Sequence, residues 1–415
     1  MTTPVTDYDT IIIGAGAAGI SAARALREAG QKILCLEASP HIGGRARTDR
    51  DIFGVPFDLG AHWLHSGHIN KLKTIGQEMG LDIYKTPETA ITIGLEDDDD
   101  LWDPVEEVFE RGIEKLTSTS NANVDFALAE FFEAHGPWAQ TIKMMTGLSM
   151  ARDLDQISLR DLASWAEGED WFCREGFGTI ISNLARDLPI RCNVPVTEII
   201  AHPGHVSVTT SEGPLTARKV IVTVSVGVLS ADVIRFDPPL DTERRRALDH
   251  ITMGDYHHTA LMFAPEAIPL EADSWLTYRI DAEKNGIPQG GGFLCNAGGT
   301  GLCNLETGGS FSRDLQDAPP EEAIGFALDT LVDQFGSDLR KHFIKGYVPR
   351  WRHEPFVRGS YSGAMPGGSA YREALCQPHA DHVLFAGEAM SRGQQASVNG
   401  AYMEGQRAAT EALLP

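Results

Sequence analysis

Gly14, Gly16 and Gly19 stand in the spacing Gly-x-Gly-x-x-Gly, and Glu37 follows 18 residues after the last of them. That combination can hold a dinucleotide. Gly14 permits a tight turn, Gly16 lets the backbone approach a pyrophosphate, and Gly19, beside Ala18, lets a helix pack closely on a strand. The helix N-terminus would offer unpaired N–H groups and positive potential to the diphosphate. An acid at Glu37, followed by Ala38, accepts hydrogen bonds from a ribose diol and disfavours a 2′-phosphate. Gly43-Gly44-Arg45 comes just beyond. It places backbone and a cation along a longer cofactor, which favours FAD over NAD. His62, His65 and His68 form a His-x-x-His-x-x-His run. Gly60, Ser66 and Gly67 mark it as a loop, and no cysteine or carboxylate cluster accompanies it, so no metal site is expected.

Those residues need elements to position them. Residues 9–13 read as a buried strand, Ile20 to Ala29 as a helix ended by Gly30, and Lys32 to Glu37 as a second strand. The order strand, glycine turn, helix, strand gives the motif its context. The chain has 415 residues, too many for one ordinary core. An apolar fraction of 42% and a charged fraction of 22% exclude a disordered or collagenous chain. Lys plus Arg number 35 and Asp plus Glu 58, a formal charge of −23 that argues against general nucleic-acid binding and would attract small cations. The six cysteines are scattered without a Cys-x-x-Cys pair, as reduced thiols would be. The start of the chain has no basic, apolar leader, and no run is long enough for a membrane span, so a soluble, cytoplasmic protein is expected. Asn123 to Ala134, Trp138 to Ala151 and Glu321 to Phe335 show helical spacing, and Thr259 to Phe263 reads as a strand. Asn285 to Gly301 reads as a glycine-rich loop or hairpin over a site, and Glu96 to Asp100 as a solvated acidic loop.

Four separated blocks carry a more specific signal. They are Ile12 to Thr48; Asp58 to Gly67, with Gly60-Ala61-His62-Trp63-Leu64-His65; Trp351 to Pro366; and Val383-Leu-Phe-Ala-Gly387-Glu388, followed by Ser397-Val398-Asn-Gly-Ala-Tyr402-Met-Glu-Gly. In this order and over nearly the whole chain they resemble the flavin-containing amine oxidase family, which includes monoamine and polyamine oxidases and flavin histone demethylases. The resemblance implies an α/β fold: a Rossmann-like FAD-binding domain of the glutathione-reductase/amine-oxidase type with an inserted mixed α+β substrate domain. The block order places the FAD-binding domain at 1–75, 180–250 and 375–415, and the substrate domain at 76–179 and 251–374.

The resemblance also implies roles. Glu37 would hold the adenosine ribose, Val196 the adenine, Arg45 the flavin and diphosphate, and Glu388, at the start of the last helix, the ribityl or diphosphate region. Val398, after Ser397, would present its N–H to the flavin pyrimidine. Gly60, Ala61, His62, Trp63, Trp351 and Gly387 would complete the cofactor site. Ser360 occupies the position of the cysteine that bonds flavin covalently in monoamine oxidases, so non-covalent FAD is expected. Tyr361 and Tyr402 fall on the two aromatic positions that cage the amine. His65 would meet a distal group of the substrate, with Glu167, Glu169 and Asp170 as candidate anions. His258 stands where the family carries a lysine that holds a water against flavin N5; a histidine there titrates near neutral pH and could make oxygen reactivity pH-dependent. No arginine is evident for a substrate carboxylate. The implied reaction is oxidation of a neutral amine, with formal hydride transfer from the carbon next to nitrogen to flavin N5, imine hydrolysis, and reoxidation by oxygen to hydrogen peroxide. The partners are then a small amine and oxygen, with no nucleic acid and no membrane. The alternative is a flavin dehydrogenase or desaturase of the same fold, acting on a non-amine or using another acceptor.

Overall fold

A computed structural model describes residues 6–87, 89–95, 101–118 and 124–414. The strand Tyr8–Ile13 runs parallel between Ile33–Leu36 and Gly213–Val222. Its apolar run Ile11 to Ile13 reflects burial on both faces, as a parallel strand demands. Ile11 and Ile13 point to one core with Leu36, Val220, Val222 and Phe385, while Ile12 points to the other with Cys35, Ile221 and Leu384. The sheet continues through Ile190–Arg191 on one side, Val383–Phe385 beside Gly213–Val222, and the antiparallel strands His205–Thr210 and Val196–His202, with Arg235–Asp237 outermost. The helices Ala17–Glu28 and Val398–Ala412 pack together over the second face. A side chain at Gly405 would meet the Ala18 carbonyl at 2.1 Å, so the two helices touch backbone to backbone.

A second sheet of six strands has the order Phe343–Tyr347, Tyr256–Phe263, Leu302–Gly308, Gly292–Ala297, Ser274–Tyr278, Ala90–Ile93. The helix Pro320–Phe335 covers it through Ala327, Leu328 and Leu331. The helices Trp102–Ser118 and Ala139–Leu148 lie beside it. The buried, bidentate Arg372–Asp161 pair (both bonds 2.6 Å) ties the short helix Leu159–Ala163 to the segment that precedes Val383–Phe385. Among the described residues no helix is long and apolar enough to cross a membrane.

One expected element holds and two differ. Asn285 to Gly301 forms hairpins: Asn285 and Gly286 turn between Glu283–Lys284 and Ile287–Pro288, and Gly298 to Gly301 turn between the interior strand Gly292–Ala297 and Leu302–Gly308. Gly290, Gly291 and Gly292 serve close packing, a side chain at Gly292 striking Trp275, while Gly286, Gly298 and Gly299 supply the positive φ of the turns. In the stretch Asn123 to Ala134, the described residues hold only a 3-10 turn, Leu128–Phe131. Asp125 ties that stretch to the start of the helix Leu159–Ala163, accepting bonds from Ser158 Oγ (2.6 Å) and the Arg160 N–H (2.9 Å). Glu388 sits in its own short turn, Glu388–Met390, and the last helix begins ten residues later with Ser397 as its cap. The acidic run 96–100 lies outside the described residues.

Candidate active site

The two sheets enclose one cavity of about 1180 Å³. At one end it is a nucleotide cradle. The Gly14–Gly16 turn opens the helix Ala17–Glu28, whose N-cap, Gly16, makes no side-chain cap. A side chain at Gly16 would meet no protein atom within 4 Å, whereas one at Gly19 would strike the Gly14 carbonyl at 1.9 Å. The first glycine therefore faces the cavity and the second packs helix on turn; Gly19 accordingly does not line the cavity. Glu37 ends its strand with its oxygens accepting from the Ala15 N–H (2.7 Å) and the Ser39 N–H (2.8 Å), and it lines the cavity with Ala38 and Val196. Gly43 donates to the Ala15 carbonyl (2.8 Å), which lays Gly43 and Gly44 against the turn. A glycine wall that a side chain would fill, free helix amides and a carboxylate at the strand end fit a flavin adenine dinucleotide.

Farther along, Arg45 donates through Nη1 to the Ser360 carbonyl (2.9 Å) and to Glu388 (2.8 Å). Glu388 also accepts from the Ser362 N–H (3.1 Å), Ser362 Oγ (2.7 Å) and the Ala396 N–H (3.1 Å). Burial pushes its pKa up, but the Arg45 charge and these bonds outweigh burial and hold it below the ordinary range. With four donors from the protein, Glu388 organises the wall. Ala18, Gly60, Ala61, Gly387, Ser397 and Val398 line the same space. Trp351 closes it over Gly60, donating from its indole to the Leu59 carbonyl (2.6 Å). Ser360 Oγ donates to the Gly254 carbonyl (2.9 Å) and accepts from the Tyr256 N–H (3.0 Å).

The same cavity continues as a chamber lined by Tyr256, His258, Glu306 and Tyr361. His258 and Glu306 are directly opposed on antiparallel strands, so their side chains share one face. Glu306 is buried and accepts a short hydrogen bond from the Tyr256 hydroxyl. Burial raises its pKa, against the opposing pull of Tyr256, Trp63 and the imidazoles of His62 and His65. The Tyr256 ring lies 5.6 Å from Tyr361, whose hydroxyl donates to the Ser149 carbonyl (3.0 Å). Trp63 stacks on His65 at 6.2 Å, and His65 Nδ1 bonds Asp170 at 3.0 Å. Val105, Phe109, Met145, Leu148, Ile157 and Leu159 add apolar lining.

Several expected placements are corrected. Tyr402 does not line the cavity. On the last helix Val398 and Ala401 face the cavity; Tyr402, about 100° farther round, packs against Ala17 and Ile20. No cage of Tyr361 with Tyr402 forms, and the tyrosine beside Tyr361 is Tyr256. His258 does not titrate near neutrality. Burial, then the charge of His62, push it down to about 4, and its ring is bound to the Asp58 carbonyl (3.0 Å). Glu169 turns outward to Lys85, while Glu167 and Asp170 line the cavity. The three loop histidines diverge, His62 to Asp58, His65 to Asp170 and His68 to solvent beside Gly168. Arg152 lines the cavity; its Nη2 donates to Thr252 and to the Gly363 carbonyl, and its Nε is buried without a partner. Glu306 is the residue that sequence reasoning missed. Its signal was a lone acid in the otherwise uncharged strand Leu302–Gly308.

Comparison with known proteins agrees with this geometry. Residues 147–413 match the model of the flavin containing amine oxidoreductase family, and residues 12–75 that of an NAD(P)-binding Rossmann-like domain. Polyamine oxidase 4 of Oryza sativa subsp. japonica is 29% identical over 97% of this chain and 88% of its own length. Human lysine-specific histone demethylase 2 is 28% identical over 97% of this chain and 53% of its own. A putrescine oxidase double mutant superposes with TM-score 0.79 at 18% identity, covering 99% of this chain and 100% of the other. Cyclohexylamine oxidase from Brevibacterium oxydans IH-35A superposes with TM-score 0.77 at 23% identity over 98% of both chains. The two structural likenesses establish the shared fold.

Proposed function

Because the chain belongs to the flavin-containing amine oxidoreductase family, we propose that it oxidises an amine with an apolar body, using non-covalently held FAD and passing the electrons to oxygen. The observation that carries this reading is Glu306, a buried carboxylate in the cavity wall that also presents the apolar side chains Phe109, Met145 and Leu148. An ammonium ion entering such a chamber loses its hydration, and a facing carboxylate compensates it. In that apolar setting the neutral amine and neutral acid gain on the ion pair, so Glu306, already pushed upward by burial, suits taking the ammonium proton. The Tyr256 hydroxyl fixes the carboxylate, and the Tyr361 ring forms the wall that orients the nitrogen. Phe109, Met145 and Leu148 exclude water and take the substrate's apolar body. When bound, FAD supplies the two-electron acceptor. Ser360, engaged with backbone on both sides and lacking a thiol, supports non-covalent binding. His258, neutral and tied to a carbonyl, is a specific reason to keep a second reading, a dehydrogenase with another acceptor.

The test is a screen of peroxide release over apolar monoamines, diamines, polyamines and amino acids, repeated with a dye acceptor. Turnover with apolar monoamines is expected, and Glu306→Gln should lower kcat/KM by about 100-fold while the flavin stays bound. Silence toward every amine under both acceptors, with flavin present, overturns the reading. Dye turnover without peroxide selects the second one. Yellow colour retained in denatured, precipitated protein overturns non-covalent binding.

A further inference from the structure

Two imidazoles of the chamber wall hang from one buried residue behind them, Asp58. His258 bonds the carbonyl of Asp58 at 3.0 Å, and His62 Nδ1 bonds its carboxylate at 3.1 Å. We propose that His62, seated on the Asp58 carboxylate, supplies the positive charge that balances the reduced flavin ring, and that His258 serves as a neutral wall. The proposal rests on the flavin site read above.

The Asp58 carboxylate is fixed independently of His62. It accepts from the Thr48 hydroxyl and from the Phe177 (2.9 Å) and Gly178 (3.3 Å) N–H groups at the start of the helix Phe177–Leu184. Phe172 at 4.4 Å and Trp63 at 6.3 Å hold the His62 ring in place, and His62 lines the cavity between Ala61 and Trp63. Its Nε2 is buried with no partner in the protein. The charged and titratable groups facing it are Asp58 on its own loop, Glu306 and His258 on the two opposed strands, and Asp273 behind them. Burial pulls the His62 pKa down, but the Asp58 bond and charge, helped by Glu306 and Asp273, outweigh it and set the pKa above the ordinary histidine value. For His258 no carboxylate opposes burial at bonding distance, and the neighbouring His62 charge pushes it further down. The pair therefore takes up one proton, and His62 holds it.

The charge has a use. Two-electron reduction with uptake of one proton leaves a flavin one unit more negative than its oxidised form near neutral pH. In a chamber poor in water, a cation on the wall favours that state. Sulfite reports the same property without turnover, because its addition to oxidised flavin also leaves the ring negative and bleaches its absorbance.

The experiment measures sulfite dissociation constants of the holoenzyme and of His62→Gln, His62→Lys and His258→Gln from about pH 5.5 to pH 9. Ratios of variant to wild type cancel the titration of sulfite itself. His62→Gln should bind sulfite about tenfold or more weakly at the acid end, the ratio falling toward one as wild-type His62 loses its proton. His62→Lys should bind like wild type at the acid end and more tightly at the alkaline end, and it decides the matter if the glutamine variant loses its flavin. His258→Gln should stay within about twofold throughout. A His62→Gln ratio near one, a ratio independent of pH, or the pH-dependent loss appearing in His258→Gln instead would each overturn the proposal. Wild-type protein without flavin overturns the cofactor reading and this proposal with it. The expected sulfite pattern in a protein that oxidises no amine supports the proposal while removing the substrate reading.

Discussion

Glu306 and Tyr402 illustrate how a side chain's direction decides what its type can do. Glu306 is an ionisable group in an apolar strand, a costly thing to bury unless something uses it. Its partner Tyr256 and its opposite number His258 become neighbours only through strand register, which no local spacing announces. Tyr402, in contrast, lies within a recognisable block, yet helix phase turns it toward Ala17 and Ile20, with Arg24 and Glu28 near its hydroxyl. Sequence blocks thus place a residue on an element without fixing which face it takes. Tyr402→Phe is expected to change stability by about 1 kcal/mol or less and to leave kcat/KM for the best amine within about twofold. Tyr361→Leu, which removes a ring from the chamber wall, should lower kcat/KM by about tenfold or more. Parallel steady-state assays decide it, and equal losses in both variants would restore the two-tyrosine cage.

At the level of elements the glycine-rich turn was the most legible feature, because strand, turn and helix are local and each glycine has a steric reason. The structure separates those reasons. Gly16 faces open cavity, while Gly19 and Gly405 allow backbone contacts with the Gly14 and Ala18 carbonyls. Gly16→Ala should therefore fold with a Tm close to wild type but bind flavin weakly, since its methyl group occupies cofactor space. Gly405→Ala must push apart a pair of helices that meet backbone to backbone, and should cost about 1–3 kcal/mol with flavin loss only as a consequence. Thermal unfolding with and without added FAD distinguishes them: excess FAD should raise the Tm of wild type far more than that of Gly16→Ala. Elements specified by distant partners were harder to read. The start of the strand Gly292–Ala297 resembles a turn because Gly290 and Gly291 lead into it, and only Trp275 across the sheet explains Gly292. Asp125 likewise gives no local hint that it will bond Ser158 and Arg160, far along the chain.

Over the whole molecule, charge acts on stability and on encounter with opposite requirements. His257, enclosed by Ser312 and Thr259, is pushed by burial to about 3, and His258 to about 4. Unfolded histidines titrate near 6.5, so on acidification the unfolded chain takes up protons first. Stability should fall from about pH 6.5 toward these lower values, by about 1.4 kcal/mol per pH unit for each histidine. His62, with its raised pKa, works the other way: its contribution is present at low pH and is lost as pH rises through its folded value. Urea midpoints from pH 7 to pH 5 check this, with a shallower decline expected for His257→Gln. The formal charge of −23 bears on encounter. Glu167, Asp170 and Glu306 line the cavity, so the acidic surface and the cavity wall pull a cationic substrate the same way. If that field steers amines, kcat/KM should fall several-fold as salt rises from about 0.01 M to about 0.2 M, where the Debye length shrinks from about 30 Å to below 10 Å. Turnover at saturating amine should hold steady, because steering affects arrival and leaves the buried Glu306 step unscreened. A kcat/KM that ignores salt would reduce the charge to a solubility feature and leave the chamber alone to select the amine.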